Sequence, residues 1–223
     1  MDNKTQNTET PQKGNILVIN TGSTTTKLGY FSDGTRVFDT KLEHTAEDVA
    51  KYPSVMDQAD MRHQAIKDFM ASKNIPLEEV DIVMARGGLI VPVITGVYNV
   101  NQDMREVLKS CRDGKHACNL SAILADDVAA EINQIREEKH LTPRFGKCVA
   151  YIADPPMADE MLPECRMGGI PEFTRKTLFH ALNSRAIVRR YLREHGHKTN
   201  DVTAIVAHMG GGATISLHRN GKV

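Results

Sequence analysis

The chain has 223 residues, 40% of them apolar and 25% charged, a composition that excludes disordered, collagen-like and coiled-coil classes. At roughly 150 residues per domain, the length corresponds to about one and a half domains. Lysines and arginines number 28 and are balanced by 28 acidic residues, so there is no bulk field for nucleic acid or an anionic membrane, and any bound anion needs a local site.

The polar stretch 1–14 lacks the apolar core of a signal peptide and reads as a disordered tail. Residues 16–19 (Ile-Leu-Val-Ile) form a β-branched strand, a hydroxyl-rich turn follows Gly22, and residues 27–31 and 35–42 continue an antiparallel meander through Asp33-Gly34. Residues 57–73 carry Met61, Ala65, Ile66, Phe69 and Met70 at helical spacing, with Pro76 beyond the end. A strand over 80–85 breaks at Gly87-Gly88. A helix over 119–138 and a strand over 147–153 follow, the strand stopping at Asp154-Pro155-Pro156. Residues 173–195 read as one long basic helix closed by Gly196, and strands over 202–207 and 215–218 flank three glycines. Alternation of strands and helices makes the class α/β.

Cys111, Cys118, Cys148 and Cys165 form no C-x-x-C pair. Scattered thiols in a chain of this length read as reduced cysteines and predict a cytoplasmic protein. No apolar run approaches the ~18 residues of a membrane helix.

Two glycine turns resemble each other. Ile19-Asn20-Thr21-Gly22 and Ala207-His208-Met209-Gly210 each join an apolar strand to a polar residue and a glycine, and each is followed by a Thr, a second strand and an Asp-Gly or Asn-Gly turn. A repeat of this kind suggests two similar domains, each opening with a hairpin whose turn offers N–H groups to an anion. Neither turn is a P-loop, because both lead into strands. Thr21, Ser23, Thr24, Thr25 and Thr26 supply hydroxyls and Lys27 a cation, which suits phosphate; a polar surface hairpin is the plainer alternative.

Ligands in open α/β sheets gather at strand ends. Arg86 ends one strand, Asp154 another and His208 a third, while His116 precedes a helix. His180, within the predicted helix and among Leu178, Phe179 and Leu182, needs a polar partner or a cleft. His195 and His197 flank Gly196 as solvated caps.

These motifs resemble the acetate kinase family. Val18-Ile19-Asn20-Thr21-Gly22-Ser23-Thr24-Thr25-Thr26-Lys27 is similar to its opening phosphate hairpin. Arg175-Lys176-Thr177-Leu178-Phe179-His180-Ala181-Leu182-Asn183, Arg86-Gly87-Gly88-Leu89 and His208-Met209-Gly210-Gly211-Gly212 resemble the butyrate kinase branch. Thr21 stands where that branch commonly has proline. The resemblance implies a ribonuclease-H-like fold of the actin and sugar kinase superfamily, and reversible phosphate transfer from ATP to butyrate or another short-chain carboxylate. By motif match, Asn20 would help hold Mg2+; Ser23, Thr25 and Lys27 would contact nucleotide phosphates; and His208, Met209, Gly210, Gly211 and Gly212 would form a second phosphate loop. Asp154 matches the catalytic aspartate, His180 the histidine that stabilises the phosphoryl group in flight, His116 a second active-site histidine, and Arg86 the carboxylate clamp.

Complete members of that family continue beyond the second glycine loop, whereas here the chain runs only to Val223. The expected organisation is therefore a tail over 1–14, a first ribonuclease-H-like domain over 15–157, and the start of an incomplete second domain over 158–223. A truncated butyrate kinase is expected, lacking a second catalytic arginine and the adenine pocket. The rival readings are a non-catalytic fragment with a binding or structural role, and an actin-like filament or chaperone, which would more usually carry Asp at position 20. Expected partners are the carboxylate and acyl phosphate, without nucleic acid or membrane; a homo-oligomer is left open.

Overall fold

The computed structural model describes residues 13–210 and 212–223. In chain order the strands and α-helices are β1 (Asn15–Thr21), β2 (Thr25–Ser32), β3 (Thr35–Glu43), α1 (Ala46–Ala50), α2 (Ala59–Ser72), β4 (Ile82–Ala85), β5 (Val97–Asn99), α3 (Gln102–Ser110), α4 (Cys118–Glu138), β6 (Val149–Ala153), α5 (Ala181–His195), β7 (Thr203–Met209) and β8 (Ala213–Arg219).

Six strands make one sheet in the order β3-β2-β1-β4-β6-β5, with β1, β4 and β6 parallel and the other pairs antiparallel. The meander forms because Asp33 and Gly34 take left-handed backbone angles (φ 49° and 83°), as a two-residue hairpin turn requires. Alternate β1 side chains, Leu17 and Ile19, are buried, and α4 lies against β1, β4 and β6. Its core-facing residues Leu120, Leu124, Val128 and Ile132 repeat at i, i+4, i+8 and i+12, one helical face. β7 and β8 form a separate two-stranded ladder. Among the described residues no helix is long and apolar enough to cross a membrane.

One expected element is corrected. The helix over 173–195 begins only at Ala181, and residues 173–180 run without regular structure. Their polar groups bond elsewhere: Arg175 N–H to the Arg166 carbonyl (2.9 Å), Phe179 N–H to the Pro156 carbonyl (3.1 Å), and the Thr177 hydroxyl to the Ala158 carbonyl (2.6 Å). Phe173 and Leu178, the apolar residues that suggested a helix, are exposed. His180 is therefore the residue preceding the first turn of α5, not an internal helical residue. His208 and Met209 likewise belong to β7 and precede the glycine turn.

Candidate functional site

The β1–β2 connection is a tight turn. Gly22 N–H donates to the Thr25 carbonyl at 2.7 Å, and a Cβ on Gly22 would stand 2.7 Å from Thr25 Oγ1, so any larger residue would force the Thr25 hydroxyl to move. Thr21 ties the turn to α4: its N–H donates to Ser121 Oγ (2.9 Å) and its hydroxyl to the Ala117 carbonyl (2.6 Å). The first of these bonds needs an N–H that proline would lack. Ser23, Thr24 and Lys27 are exposed, whereas Thr21 and Thr26 are buried.

Under the turn lies Arg62, on the buried face of α2 in line with Ile66 and Met70. It is 0% exposed, and all its N–H groups are used. Nε and Nη2 donate to Gln58 Oε1 (3.0 and 2.8 Å), Nη1 to the Thr25 carbonyl (2.7 Å) and Thr26 Oγ1 (3.1 Å), and Nη2 to the Ser23 carbonyl (2.7 Å). Burial brings its pKa down to about 10. The Thr26 hydroxyl also meets His44 Nε2 at 2.8 Å, an imidazole held below its ordinary range by burial and then by the Arg62 charge. Sequence periodicity passes over Arg62, because its charge breaks the apolar stripe that it occupies.

A cavity of about 510 Å³ opens beside this turn, lined by Asn20, Lys27, Arg86, Asp154, Pro156, Phe179, His180, Asn183 and His208 among others. Six residues singled out from the sequence thus converge on one space: Asn20, Lys27, Arg86, Asp154, His180 and His208. They come from β1, β2, the ends of β4 and β6, the start of α5, and β7. Among the described residues neither Lys27 nor Arg86 is paired with a carboxylate, which leaves two cations free to meet an anion. The loop carrying Arg86 is pressed onto α4. Leu89 N–H donates to Asn119 Oδ1 (2.9 Å), and a Cβ on Gly88 would lie 2.6 Å from Asn119 Cα.

Asp154 is 4% exposed and left-handed at φ 38°. Its Oδ1 accepts from Gly96 N–H (3.1 Å), and its own N–H donates to the Gly96 carbonyl (2.9 Å). Its Oδ2 faces Arg185 Nε at 3.5 Å and Arg189 Nη1 at 3.4 Å, both on α5. Arg185, which also pairs with Glu160 at 3.1 Å, had no sequence signal beyond a basic helix.

His180 and His208 approach from different elements. His180 Nδ1 lies 2.8 Å from Thr214 Oγ1, and His208 Nδ1 lies 2.9 Å from the Asn183 amide nitrogen. An amide donor makes His208 Nδ1 an acceptor, so the neutral ring carries its proton on Nε2. The His180 pKa is lowered by burial first, then by His208, Arg86 and His116.

Other expected site residues lie apart. Ser23 and His116 line a neighbouring cavity of about 700 Å³ together with Tyr52, Met56, Lys109 and Lys115. His116 Nδ1 accepts from Cys118 N–H (3.1 Å) and faces its Sγ at 2.9 Å; burial, then the Arg86 charge, lowers the His116 pKa. The Thr25 carbonyl closes the turn, so Thr25 is fixed by the fold through its backbone. Met209 is exposed, a Cβ on Gly212 would be 3.9 Å from His180 Cε1, and Gly210 borders the turn. Gly211 lies outside the described residues.

Among the described residues no three His, Cys, Asp or Glu side chains gather as a metal cluster. The cavity offers one amide, Asn20, and one carboxylate, Asp154. That sparse oxygen set suits Mg2+, which usually keeps several waters and takes its other ligands from substrate phosphates.

No family model matches the chain. It is 40% identical over 208 residues to butyrate kinase 1 of Clostridium acetobutylicum, covering 93% of this chain and 55% of that protein. It is 37% identical over 211 residues to butyrate kinase 2 of the same organism, covering 95% and 55%. Among solved structures, the acetate kinase of Porphyromonas gingivalis superposes with a TM-score of 0.61 at 17% identity, covering 94% of this chain and 56% of that one. The chain is thus similar in sequence to butyrate kinases over most of its length, shares the α/β fold of acetate kinase where the two superpose, and spans about half the length of the curated relatives it matches.

Proposed function

We propose that the site is half of a carboxylate kinase cleft, which in the complete enzyme transfers the γ-phosphate of ATP, with Mg2+, to butyrate or a similar short-chain acid. The observation that carries this reading is the convergence of Asn20, Lys27, Arg86, Asp154, His180 and His208 on one cavity, in a chain similar to butyrate kinases over 93% of its length.

The substrate carboxylate is ionised at pH 7 and needs no base. One of its oxygens forms a bond to the γ-phosphorus as the bond to the ADP oxygen breaks, and ADP leaves with that electron pair. Catalysis then reduces to alignment and to donors around the transferring group. Arg86 holds the carboxylate, Lys27 and the β1–β2 turn hold phosphates, and His180 donates to the phosphoryl oxygens as their charge redistributes. Asp154, already bound by Gly96 N–H and two arginines, orients and accepts no proton. Mg2+ near Asn20 and Asp154 would neutralise phosphate charge.

We assign residues 15–157 to the first ribonuclease-H-like domain and 158–223 to part of a second, a division supported by the separate β7–β8 ladder. The reaction belongs to short-chain fatty acid metabolism and, on the strength of four free thiols, to the cytoplasm. Fusing this chain to the part of butyrate kinase 1 outside the matched segment allows a hydroxamate assay across acetate, propionate, butyrate and isobutyrate. Butyrate is expected to exceed acetate. A preference for acetate overturns the branch assignment, and no acyl phosphate from a folded fusion overturns the kinase reading.

A further inference from the structure

The buried guanidinium of Arg62 has no role in the transfer described above, and its surroundings are unusual. Among the described residues it has no carboxylate within ion-pair distance. All of its acceptors are neutral: two backbone carbonyls, one hydroxyl and one amide. A buried charge without a counter-ion is costly, so a partner that arrives from outside the core is a physical expectation.

The geometry of the turn says where such a partner would sit. A trans peptide points its N–H opposite to its carbonyl. Because Arg62 holds the Ser23 carbonyl inward at 2.7 Å, the Thr24 N–H of the same peptide points away from the core. Among the described residues the N–H groups of Ser23 and Thr24 donate to no protein acceptor, and both residues are exposed. An outward Thr24 N–H beside the unbonded Ser23 N–H, with a fixed positive charge behind them, makes a place for an anion.

We propose that Arg62 is the positioning residue of the β1–β2 phosphate turn: it fixes the Ser23 and Thr25 carbonyls inward, turns the Thr24 N–H outward beside the unbonded Ser23 N–H, and supplies the positive charge that a bound phosphate neutralises. The proposal rests on the reading of that turn as a phosphate site. Arg62 touches no phosphate itself. Its fork is needed as well as its charge, since one guanidinium reaches both carbonyls and Thr26 Oγ1 at once, which a lysine ammonium cannot do from a single stem. His44, neutral beside it, takes the remaining valence of Thr26 and completes the support.

The test is titration of the 223-residue chain with tripolyphosphate, read through the backbone amide signals of Ser23 and Thr24. In the parent chain both signals should shift saturably. Arg62→Met should weaken binding by roughly tenfold or more, the scale set by one charge close to an anion at protein dielectric, and should abolish those two shifts while the β1–β2 ladder signals persist. Arg62→Lys should fall between the two, keeping charge and losing the fork. Equal affinity and equal shifts in Arg62→Met overturn the proposal. Should that variant lose the ladder, Arg62→Lys decides: parent-like affinity and shifts overturn it. If the parent chain itself shows no shift at Ser23 and Thr24, the phosphate-turn reading fails first and takes the proposal with it.

Discussion

His180 and His208 stack face to face, their ring centroids 3.8 Å apart and their planes 7° from parallel. Each ring is fixed through Nδ1, by Thr214 and by Asn183. Their stacking is a contact between distant segments, since His180 precedes α5 and His208 lies near the end of β7. The stack joins those two elements at the cavity, and protonation of His180 is opposed by burial, then by His208, Arg86 and His116.

His180→Ala in the completed kinase should reduce turnover by about 10²–10³, the usual worth of a donor aimed at transition-state charge. The Michaelis constant for ATP should change little, since a group acting only in the transition state leaves ground-state binding alone. Steady-state kinetics of the fusion enzyme check this; a raised constant with unchanged turnover would return His180 to a packing role.

The two arginines facing Asp154 should differ in weight. Arg189 is 61% exposed and Arg185 14%. Arg189→Gln should cost no more than about 1 kcal/mol, as exposed ion pairs do. Arg185→Gln removes the partner of a nearly buried carboxylate and should cost about 1–3 kcal/mol. Urea unfolding of the two variants compares them directly.

Gly88→Ala should destabilise by about 1–3 kcal/mol, the usual cost of overpacking. The added methyl would meet Leu108 Cδ2 at 2.5 Å and Asn119 Cα at 2.6 Å, and a helix backbone cannot step aside cheaply. Thermal melts measure the loss, and the Leu89–Asn119 bond should weaken with it.

Stability should fall as pH is lowered through the histidine range. Burial is the first cause that lowers the pKa values of His44, His116, His180 and His218 from the ordinary 6.5. The unfolded chain therefore binds more protons than the folded one, so stability is fully present above about 6.5 and is lost as pH drops toward the folded values. Denaturant midpoints between pH 8 and pH 5 record the slope, and a flat profile would contradict it.

Thiol accessibility should be strongly graded. Cys165 is exposed, Cys111 half-buried, and Cys118 and Cys148 buried. Burial pushes the Cys118 thiol up to about 11 and Cys148 to about 12, which suppresses the reactive thiolate. A disulfide reagent should label Cys165 first, while Cys118 and Cys148 wait for unfolding.

The sheet was legible where period and turn chemistry agree: Leu17 and Ile19 alternate inward, and Asp33-Gly34 turns the meander. Arg86 and Asp154 were legible as strand ends because the parallel strands β4 and β6 bring those ends together; His208 was legible as the end of a strand in the separate β7–β8 ladder, and Asn20 through its place before the first glycine turn. What escaped depends on contacts between distant segments. The apolar pattern of 173–180 suggested helix, yet backbone groups there bond to Pro156 and Arg166. β5 is only three residues long and does not rise above loop composition, whereas α3 did carry a signal, Met104, Val107 and Leu108 on one face behind the Asn101 cap, within only nine residues. Arg62 and Arg185 look like ordinary surface cations until the fold encloses them.

The turn that Arg62 supports lies within a hairpin of near neighbours, but the guanidinium comes from 37 residues farther along the chain at its Thr25 contact. Without that contact the turn carbonyls would be met by water and the peptides would be free to rotate. Only when α2 docks is the arginine carried in and the orientation of the Ser23–Thr24 peptide locked. The polarity of the loop is thus a property of the packed interior, one the hairpin does not carry by itself.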